Sequence, residues 1–472
     1  MAGRKHKVVL YNPAAVFYTM PLSLLAVGSN LDPARYDVRI VDGRLEDDPV
    51  RAVLRELDGA LCLGVTVLTG APIRDALRIT RAAKAFRPDV PVVWGGWHPS
   101  LFPTDTLAEP GIDVTVQAQG EATFRELVDR LAGGDDLAGL RGIAYRAEGV
   151  VVQNPPRPMT DANDLPPHNY DLLPVERYFA LKKQRQLDYI SSTGCFWRCA
   201  FCADPFVYNR GWTALAPDRI AEEIDGLRQR YRFDELAFQD ETFFTYKKRV
   251  IAIAEAFLRR DFSFRWTATM RADQGFRLDE EAFALVARSG LRRVLIGVES
   301  GSQAMLDWMK KDVTLEQIAV CAERCARHGV GAIFPFIVGF PDETDESVDA
   351  SLALAKRLRA MSPRFETPFF YFKPYPGSAI TEAVVREGYR LPQTLDEWAD
   401  FDFVGSSGPW VTPEKHEFIE RFKFYNRIAG GRRTWLRRPL QRLARWRCER
   451  DFYRLPLEKI AVERLRPMPR LS

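Results

Sequence analysis

Cysteine and histidine are scarce in this sequence, at seven and five among 472 residues. So few cysteines, odd in number, exclude a disulfide framework. Long hydrophobic runs are missing as well. No stretch of about 18 apolar residues without charge occurs, so no membrane-spanning helix is expected. The opening residues MAGRKHKVVLYNPAA lack the apolar run of a secretory signal, and none is expected. Neither sign of charge is in large excess, since the formal net charge is +4. A composition of 46% hydrophobic and 28% charged residues excludes a disordered, collagen-like or coiled-coil chain. At about 100–200 residues per domain, two to four domains are expected.

What is present is unevenly placed. Residues 411–472 hold 17 Lys+Arg against 7 Asp+Glu, so a body of net −6 ends in a tail of +10. Three of the seven cysteines fall within eight residues. Before them, short Val-, Ile- and Leu-rich runs at 8–11, 38–41, 60–67, 92–94 and 114–116 alternate with helical stretches such as 71–86. That alternation predicts a doubly wound parallel sheet over residues 1–150. Its ligand would sit at the carboxyl ends of the strands, in the loops 12–21, 66–71, 95–103 and 119–121. Residues 151–184, with NPPRPMTDANDLPPHNYDLLP, read as an extended linker. A second alternation fills residues 185–400. Its strands are predicted at 188–192, 235–239, 264–269, 293–297, 332–339 and 369–371. Helices are expected at 217–232, 247–260, 279–289, 314–328 and 344–361. Six such units are too few for a closed eight-fold barrel and fit an open, partial one.

The cysteines stand in SSTGCFWRCAFCADP, where Cys195, Cys199 and Cys202 form C-x3-C-x2-C directly after a predicted strand. Three thiolates on one loop can hold three corners of a cubane iron–sulfur cluster and leave the fourth iron open. Structural zinc would want a fourth ligand, and Asp204 is the nearby candidate. Three ordinary thiols in a loop are the remaining alternative. Phe196, Trp197 and Phe201 would shield a cluster from water.

The stretch resembles the motif of the radical S-adenosylmethionine (SAM) enzymes, C-x3-C-x-aromatic-C, with Phe201 in the aromatic place. The resemblance extends over residues 185–400. FQDETFF places Asp240 and Glu241 where that family contacts the SAM amino group; as an alternative, both cap the following helix. IGVESGS places Glu299 and Ser300 where it approaches the SAM ribose; a barrel ion pair is the alternative for Glu299. Arg271, in TMRAD, is a further SAM-contact candidate. FIVGFPDET and KPYPGS resemble later strand ends of the same barrel. The resemblance implies a [4Fe–4S] cluster, SAM, and an external electron donor such as flavodoxin or ferredoxin.

The N-terminal half resembles the cobalamin-binding domain of one large radical SAM subgroup. GGWHPSLFPTDTL and QGEATFREL look like its fourth and fifth strand-end loops, and YNPAAVFYTMPLSLLAVGSNL like its first. The resemblance places Thr66, Thr69 and Gly70 under a corrin ring. Gly95 and Gly96 would let backbone approach it. His98 would touch the nucleotide tail or hold its own loop, and Gly120 and Glu121 would touch the cofactor or cap a helix. No D-x-H-x-x-G occurs, so no lower axial histidine is assigned. A flavin- or nucleotide-binding domain of the same shape is the alternative. Cys321 and Cys325, at i and i+4, and Cys62 read as buried structural residues.

The tail RRTWLRRPLQRLARWRCERDFYRL mixes Arg with Trp and Leu, including Trp435, Leu436, Trp446 and Phe452. It reads as a basic cap on the barrel or as a surface for anionic membrane. A cytoplasmic location, peripheral to the inner membrane face if the tail docks, is expected. The methylthiolating tRNA enzymes carry an additional N-terminal cysteine set; here that half has only Cys62, which counts against nucleic acid. The fold class expected is thus α/β, with a cobalamin-type doubly wound sheet, a partial (β/α)6 radical SAM barrel and a basic helical C-terminal region over 401–472. The resemblance implies C-methylation of an unactivated carbon in a small molecule, and a tail docked on membrane would point to a hydrophobic one. Oxidation or ring closure, as in the anaerobic magnesium-protoporphyrin monomethyl ester cyclases, is the alternative. A non-catalytic cobalamin or SAM sensor is the alternative of another class.

Overall fold

The Val-rich runs of the N-terminal half form parallel strands β1 (His6–Asn12), β2 (Tyr36–Asp42), β3 (Ala60–Thr66), β4 (Val92–Gly95) and β5 (Val114–Val116). A hairpin of β6 (Ile143–Ala147) and β7 (Val150–Gln153) extends the sheet antiparallel from β5. The structure is a computed structural model and describes residues 5–15, 18–401, 408–430 and 438–465, the side chains of 463–465 excepted. Among them, no helix is long and apolar enough to cross a membrane.

The sheet order is β2-β1-β3-β4-β5-β6-β7. Alternate residues of each strand face opposite sides. Val9, Tyr11, Leu63 and Trp94 pack under the helices Pro49–Leu57 and Pro72–Phe86. Val8, Leu10, Cys62 and Val93 pack with Phe124 and Leu127 of the helix Glu121–Gly133. Such two-sided burial is why the strands read as continuous apolar runs. The hairpin is an addition to the expected five units. Its turn places Glu148 at φ +47° and Gly149 at φ +81°, both left-handed, as tight hairpin turns require.

The chain divides into two compact units. Described residues up to 243, with 259–265 and 374–401, make the first; 244–258, 266–373 and those from 408 onward make the second. The expected boundaries at 185 and 400 therefore do not coincide with the units. Residues 374–401 return to the N-terminal sheet because the helix Leu395–Ala399 buries Leu395, Trp398 and Ala399, followed by Phe401, in the core under Pro72–Phe86.

All six expected strands of the β/α region are present. In the first unit, β8 (Gln186–Tyr189) pairs parallel with β11 (Glu235–Phe238), while β9 (Ser192–Gly194) pairs antiparallel with β10 (Trp212–Ala214). The second unit holds β12 (Arg265–Arg271), β13 (Leu291–Gly297), β14 (Gly331–Ile333) and β16 (Phe365–Glu366), all parallel neighbours. There β15 (Phe336–Val338) and β17 (Phe369–Tyr371) pair parallel with each other. The single strand expected at 332–339 is broken into β14 and β15 around Pro335, which has no N–H for a ladder. Helices Pro413–Gly430, Arg438–Glu449 and Leu457–Leu465 form the C-terminal region. Trp435 and Leu436 lie outside the described residues.

Candidate active site

The cysteine loop hangs from a ribbon that needs glycine. Gly194, the last residue of β9, has φ +88°, and a Cβ there would collide with the Gly211 carbonyl. The loop that follows carries Cys195, Cys199 and Cys202, with Cys202 N–H donating to the Cys199 carbonyl at 3.2 Å. Arg210 donates to the Phe196 carbonyl at 3.1 Å, and Phe196 packs on Trp197 with ring centroids 5.3 Å apart. Burial pushes the Cys202 thiol well above its usual range, and Asp204, Cys199 and Cys195 add to the rise. Several acidic groups thus face one another in partial shelter from water, with Cys199 buried and Cys195 and Cys202 half-buried. Their ionisation calls for a cation at this loop, and thiolates are soft ligands suited to iron–sulfur clusters. Among the described residues, no three His, Cys, Asp or Glu side chains already converge as for a single ion.

Asp240 and Glu241 follow β11 and divide the work. Asp240 accepts from Ser191 N–H at 2.8 Å, Ser191 Oγ at 2.7 Å and Ser192 Oγ at 2.5 Å. It is 2% exposed and ties the segment leading to Cys195 to the end of β11. Glu241 accepts from Gly194 N–H at 3.1 Å and lines a cavity. Burial, reinforced by Asp204, pushes its carboxyl above the usual range.

That cavity, about 300 Å³, lies wholly within the first unit. One wall is the carboxyl end of the N-terminal sheet, with Thr66, Gly95, Gly96, Gly120 and Glu121. The other includes Ser191–Thr193, Tyr208 and Glu241, next to the cysteine loop, and Pro166–His168 of the linker. Gly96 has φ +98°, and a Cβ there would sit 2.9 Å from Val67 backbone atoms. Glu121 is the first residue of its helix with no side-chain cap at Gly120, and burial raises its carboxyl. It belongs to the cavity wall rather than to a cap.

Three expected cofactor contacts do not line this cavity. His98 is 1% exposed, with Nδ1 3.2 Å from Thr69 Oγ1 and ring contacts of 5.5 Å to Phe102 and 5.6 Å to Trp398. Gly70, at φ +104°, lies where a Cβ would be 2.8 Å from the Phe401 carbonyl. Thr69, Gly70 and His98 thus hold the returning segment 395–401. Conversely, Gly64, Trp97, Gln119, His168 and Tyr208 line the cavity without having been singled out. A Cβ at Gly64 would be 2.8 Å from Leu10 Cδ2 and 3.4 Å from Phe124 Cζ, so this glycine opens an apolar slot between strand and helix. A glycine inside a Val- and Leu-rich strand was its available signal. His168 sits in a Pro-rich segment, where composition says nothing of side-chain direction.

The remaining candidates cluster in the second unit. Glu299 is buried, has φ +64° and accepts from Lys311 Nζ at 2.6 Å. A Cβ on Gly297 would collide with its Oε1, so glycine makes room for the pair. Arg271 donates to Asp273 Oδ1 at 2.9 Å and to the Lys311 carbonyl at 2.6 Å. Ser300 is fully buried, 3.3 Å from Ser351 Oγ, and accepts from Ser302 N–H at 3.1 Å. The ion-pair alternative for Glu299 is present. Arg271 and Ser300 hydrogen-bond to protein partners. Cys62, Cys321 and Cys325 are buried, as expected.

Comparison with known proteins extends this picture. Residues 189–355 match the radical SAM superfamily and residues 10–128 the B12 binding domain. The chain is 32% identical over 389 residues to an uncharacterized methyltransferase of Pyrococcus horikoshii, covering 81% of this chain and 82% of that one. It is 29% identical over 329 residues to the anaerobic magnesium-protoporphyrin IX monomethyl ester cyclase of Rubrivivax gelatinosus, covering 68% and 59%. Its fold is similar to that of the radical SAM methyltransferase TsrM of Kitasatospora setae, solved with cobalamin and a [4Fe–4S] cluster. That match has a TM-score of 0.68 and 20% identity, covering 82% of this chain and 76% of that chain.

Proposed function

The chain belongs to the radical SAM superfamily, carries a B12 binding domain and is a cobalamin-dependent radical SAM enzyme; from that premise we propose that it transfers a methyl group to an unactivated carbon of a small, hydrophobic substrate. One observation carries the reading. A single cavity is walled by the sheet end of the B12 binding domain and by the segment that leads to Cys195. Methyl transfer needs both cofactors to reach one substrate carbon, and this is the space where residues from both regions meet.

Cys195, Cys199 and Cys202 would hold the cluster, and Thr66, Gly95, Gly96, Gly120, Glu121 and the Gly64 slot would hold cobalamin. When bound, the cluster supplies the electron that cleaves SAM and cobalamin carries the methyl group. The chain's residues do the rest. Asp240 fixes the strand before the cysteine loop. Glu241, held by Gly194 N–H, offers a carboxyl group whose ionised form an ammonium group in the cavity would stabilise. Leu22, Val27, Val116, Leu165 and Val207 exclude water. The electron comes from an external donor of flavodoxin or ferredoxin type.

The test is turnover with SAM bearing a deuterated methyl group and mass spectrometry of the product. Methyl transfer adds one CH2 unit carrying that label. The likeness to the cyclase supports a second reading, oxidation or ring closure. A product without SAM-derived carbon, formed together with 5′-deoxyadenosine, would establish it and overturn methylation.

A further inference from the structure

In the second unit, the C-terminal helices expose large apolar side chains that a soluble surface rarely leaves uncovered together. Leu455 is 73% exposed and Leu457 68%, with Trp446, Phe452 and Ile460 at 40–42%. Trp446 and Phe452 touch, with ring centroids 5.7 Å apart. The loop that carries them is built rather than loose. Arg447, 6% exposed, donates to the carbonyls of Phe452 at 3.1 Å, Arg454 at 2.9 Å and Leu455 at 3.1 Å. It also pairs with Glu458 at 2.9 Å, and Glu458 accepts from Tyr425 Oη at 2.7 Å. A buried arginine thus spends its donors on holding a loop whose apolar side chains point outward. Leu455 moreover has φ +50°, a left-handed conformation strained for a leucine.

The charge around this apolar tip is predominantly positive. Residues 438–460 hold seven basic and three acidic side chains. Asp451 accepts from Lys356 at 2.8 Å, and Glu458 is taken by Arg447. Arg438, Arg442, Arg450 and Arg454 are exposed, and Arg450 lies 5.4 Å over the Trp446 ring. We propose that this loop and the exposed face of the helix Arg438–Glu449 dock on an anionic phospholipid bilayer, with Leu455, Leu457, Phe452 and Trp446 entering the headgroup region and the arginines meeting lipid phosphates. These apolar side chains are exposed together on one tip, which suits a deformable lipid surface. An excess of arginine complements anionic headgroups.

Flotation of the holoprotein with vesicles of phosphatidylglycerol and phosphatidylcholine, against phosphatidylcholine alone, tests the proposal. Binding is expected to the anionic vesicles only, and to weaken as salt shortens the Debye length from about 8 Å to about 3 Å at 1 M. Leu455→Gly keeps the left-handed turn without strain and deletes the side chain. Combined with Leu457→Ser, it should weaken binding about a hundredfold, since each inserted leucine contributes about tenfold. Arg442→Glu with Arg450→Glu should weaken it comparably. The unfolding temperature, iron and cobalt contents should be unchanged in both variants. No flotation at low salt would overturn the proposal, and so would flotation indifferent to both variants. Loss of concentration-dependent self-association in the leucine variant, with flotation intact, would give the face to a second copy of the chain instead.

Discussion

Single side chains carry two distinct electrostatic burdens. Glu299 and Lys311 form an ion pair with both side chains below a tenth exposed. Removing one partner of such a pair strands a buried charge, at about 3–5 kcal/mol, whereas replacing both with apolar groups is often neutral. Lys311→Met is therefore expected to lower stability by that order. Lys311→Met with Glu299→Leu should recover most of it, as read from denaturant midpoints. Equal loss in the single and double variants would show that the pair does not act as a unit. His98 bears the other burden, because burial lowers its imidazole to about 4. In the unfolded chain it protonates near about 6.5. Between those values the unfolded state binds more protons, so stability contributed by neutral His98 is complete above that window and is lost as pH falls through it. Thermal unfolding from pH 7 to pH 4.5 should destabilise the native protein more than His98→Gln, by up to about 3 kcal/mol. Because Thr69, Phe102 and Trp398 enclose the ring, that variant should also leave the EPR spectrum of bound Co(II) cobalamin unchanged.

Among elements, the short helix Leu395–Ala399 does more than its five residues suggest. Trp398 is 5% exposed and meets His98, Phe102 and Phe401, while Arg81 joins Glu109 and Asp396 at 2.8 and 3.0 Å. The exposed charges add little, so the aromatic should carry the docking. Trp398→Ala is expected to cost about 3–5 kcal/mol, whereas Arg81→Ala should stay within about 1 kcal/mol. Differential calorimetry distinguishes them, and near-equal losses would contradict the assignment. This helix also marks what the sequence could and could not reveal. Strands such as Ala60–Thr66 and the C-x3-C-x2-C loop are local patterns, and both were legible. That residues 395–401 leave the β/α region to complete the N-terminal core depends on Trp398 meeting His98, 300 residues away, which no periodicity encodes. For the same reason Thr69, Gly70 and His98 looked like cofactor contacts: their loop sits at the right end of the sheet, but His98 packs on Trp398, Thr69 bonds to His98, and Gly70 lies against the Phe401 carbonyl. Arg271 and Ser300 carried polar groups suited to SAM, while their partners Asp273, Lys311 and Ser351 show only once β12 and β13 are in register. Gly64 and His168 went unnoticed because one is a missing side chain and the other lies in a segment without regular pattern.

For the whole molecule, the residues proposed to hold the cluster and those proposed to hold cobalamin both lie in the first unit, on different elements. The segment that leads to the cysteine loop and the sheet end contribute separate walls to the cavity, so the two cofactors should load independently. Cys199→Ala removes a thiol that is 8% exposed, and its backbone carbonyl still accepts from Cys202 N–H. Iron content and 5′-deoxyadenosine formation should be lost while cobalt content stays near that of the native protein. Gly64→Val is the reciprocal change. Its side chain would fill the slot between Leu10 and Phe124, at a strain of about 1–3 kcal/mol. Cobalt content should fall with iron content and SAM binding intact. Metal analysis of the two anaerobically reconstituted variants decides the matter. If either change removes both metals in a protein whose circular dichroism is native, the sites are coupled. The cavity would then have to be read as one cofactor-ordered structure, with neither wall formed in advance.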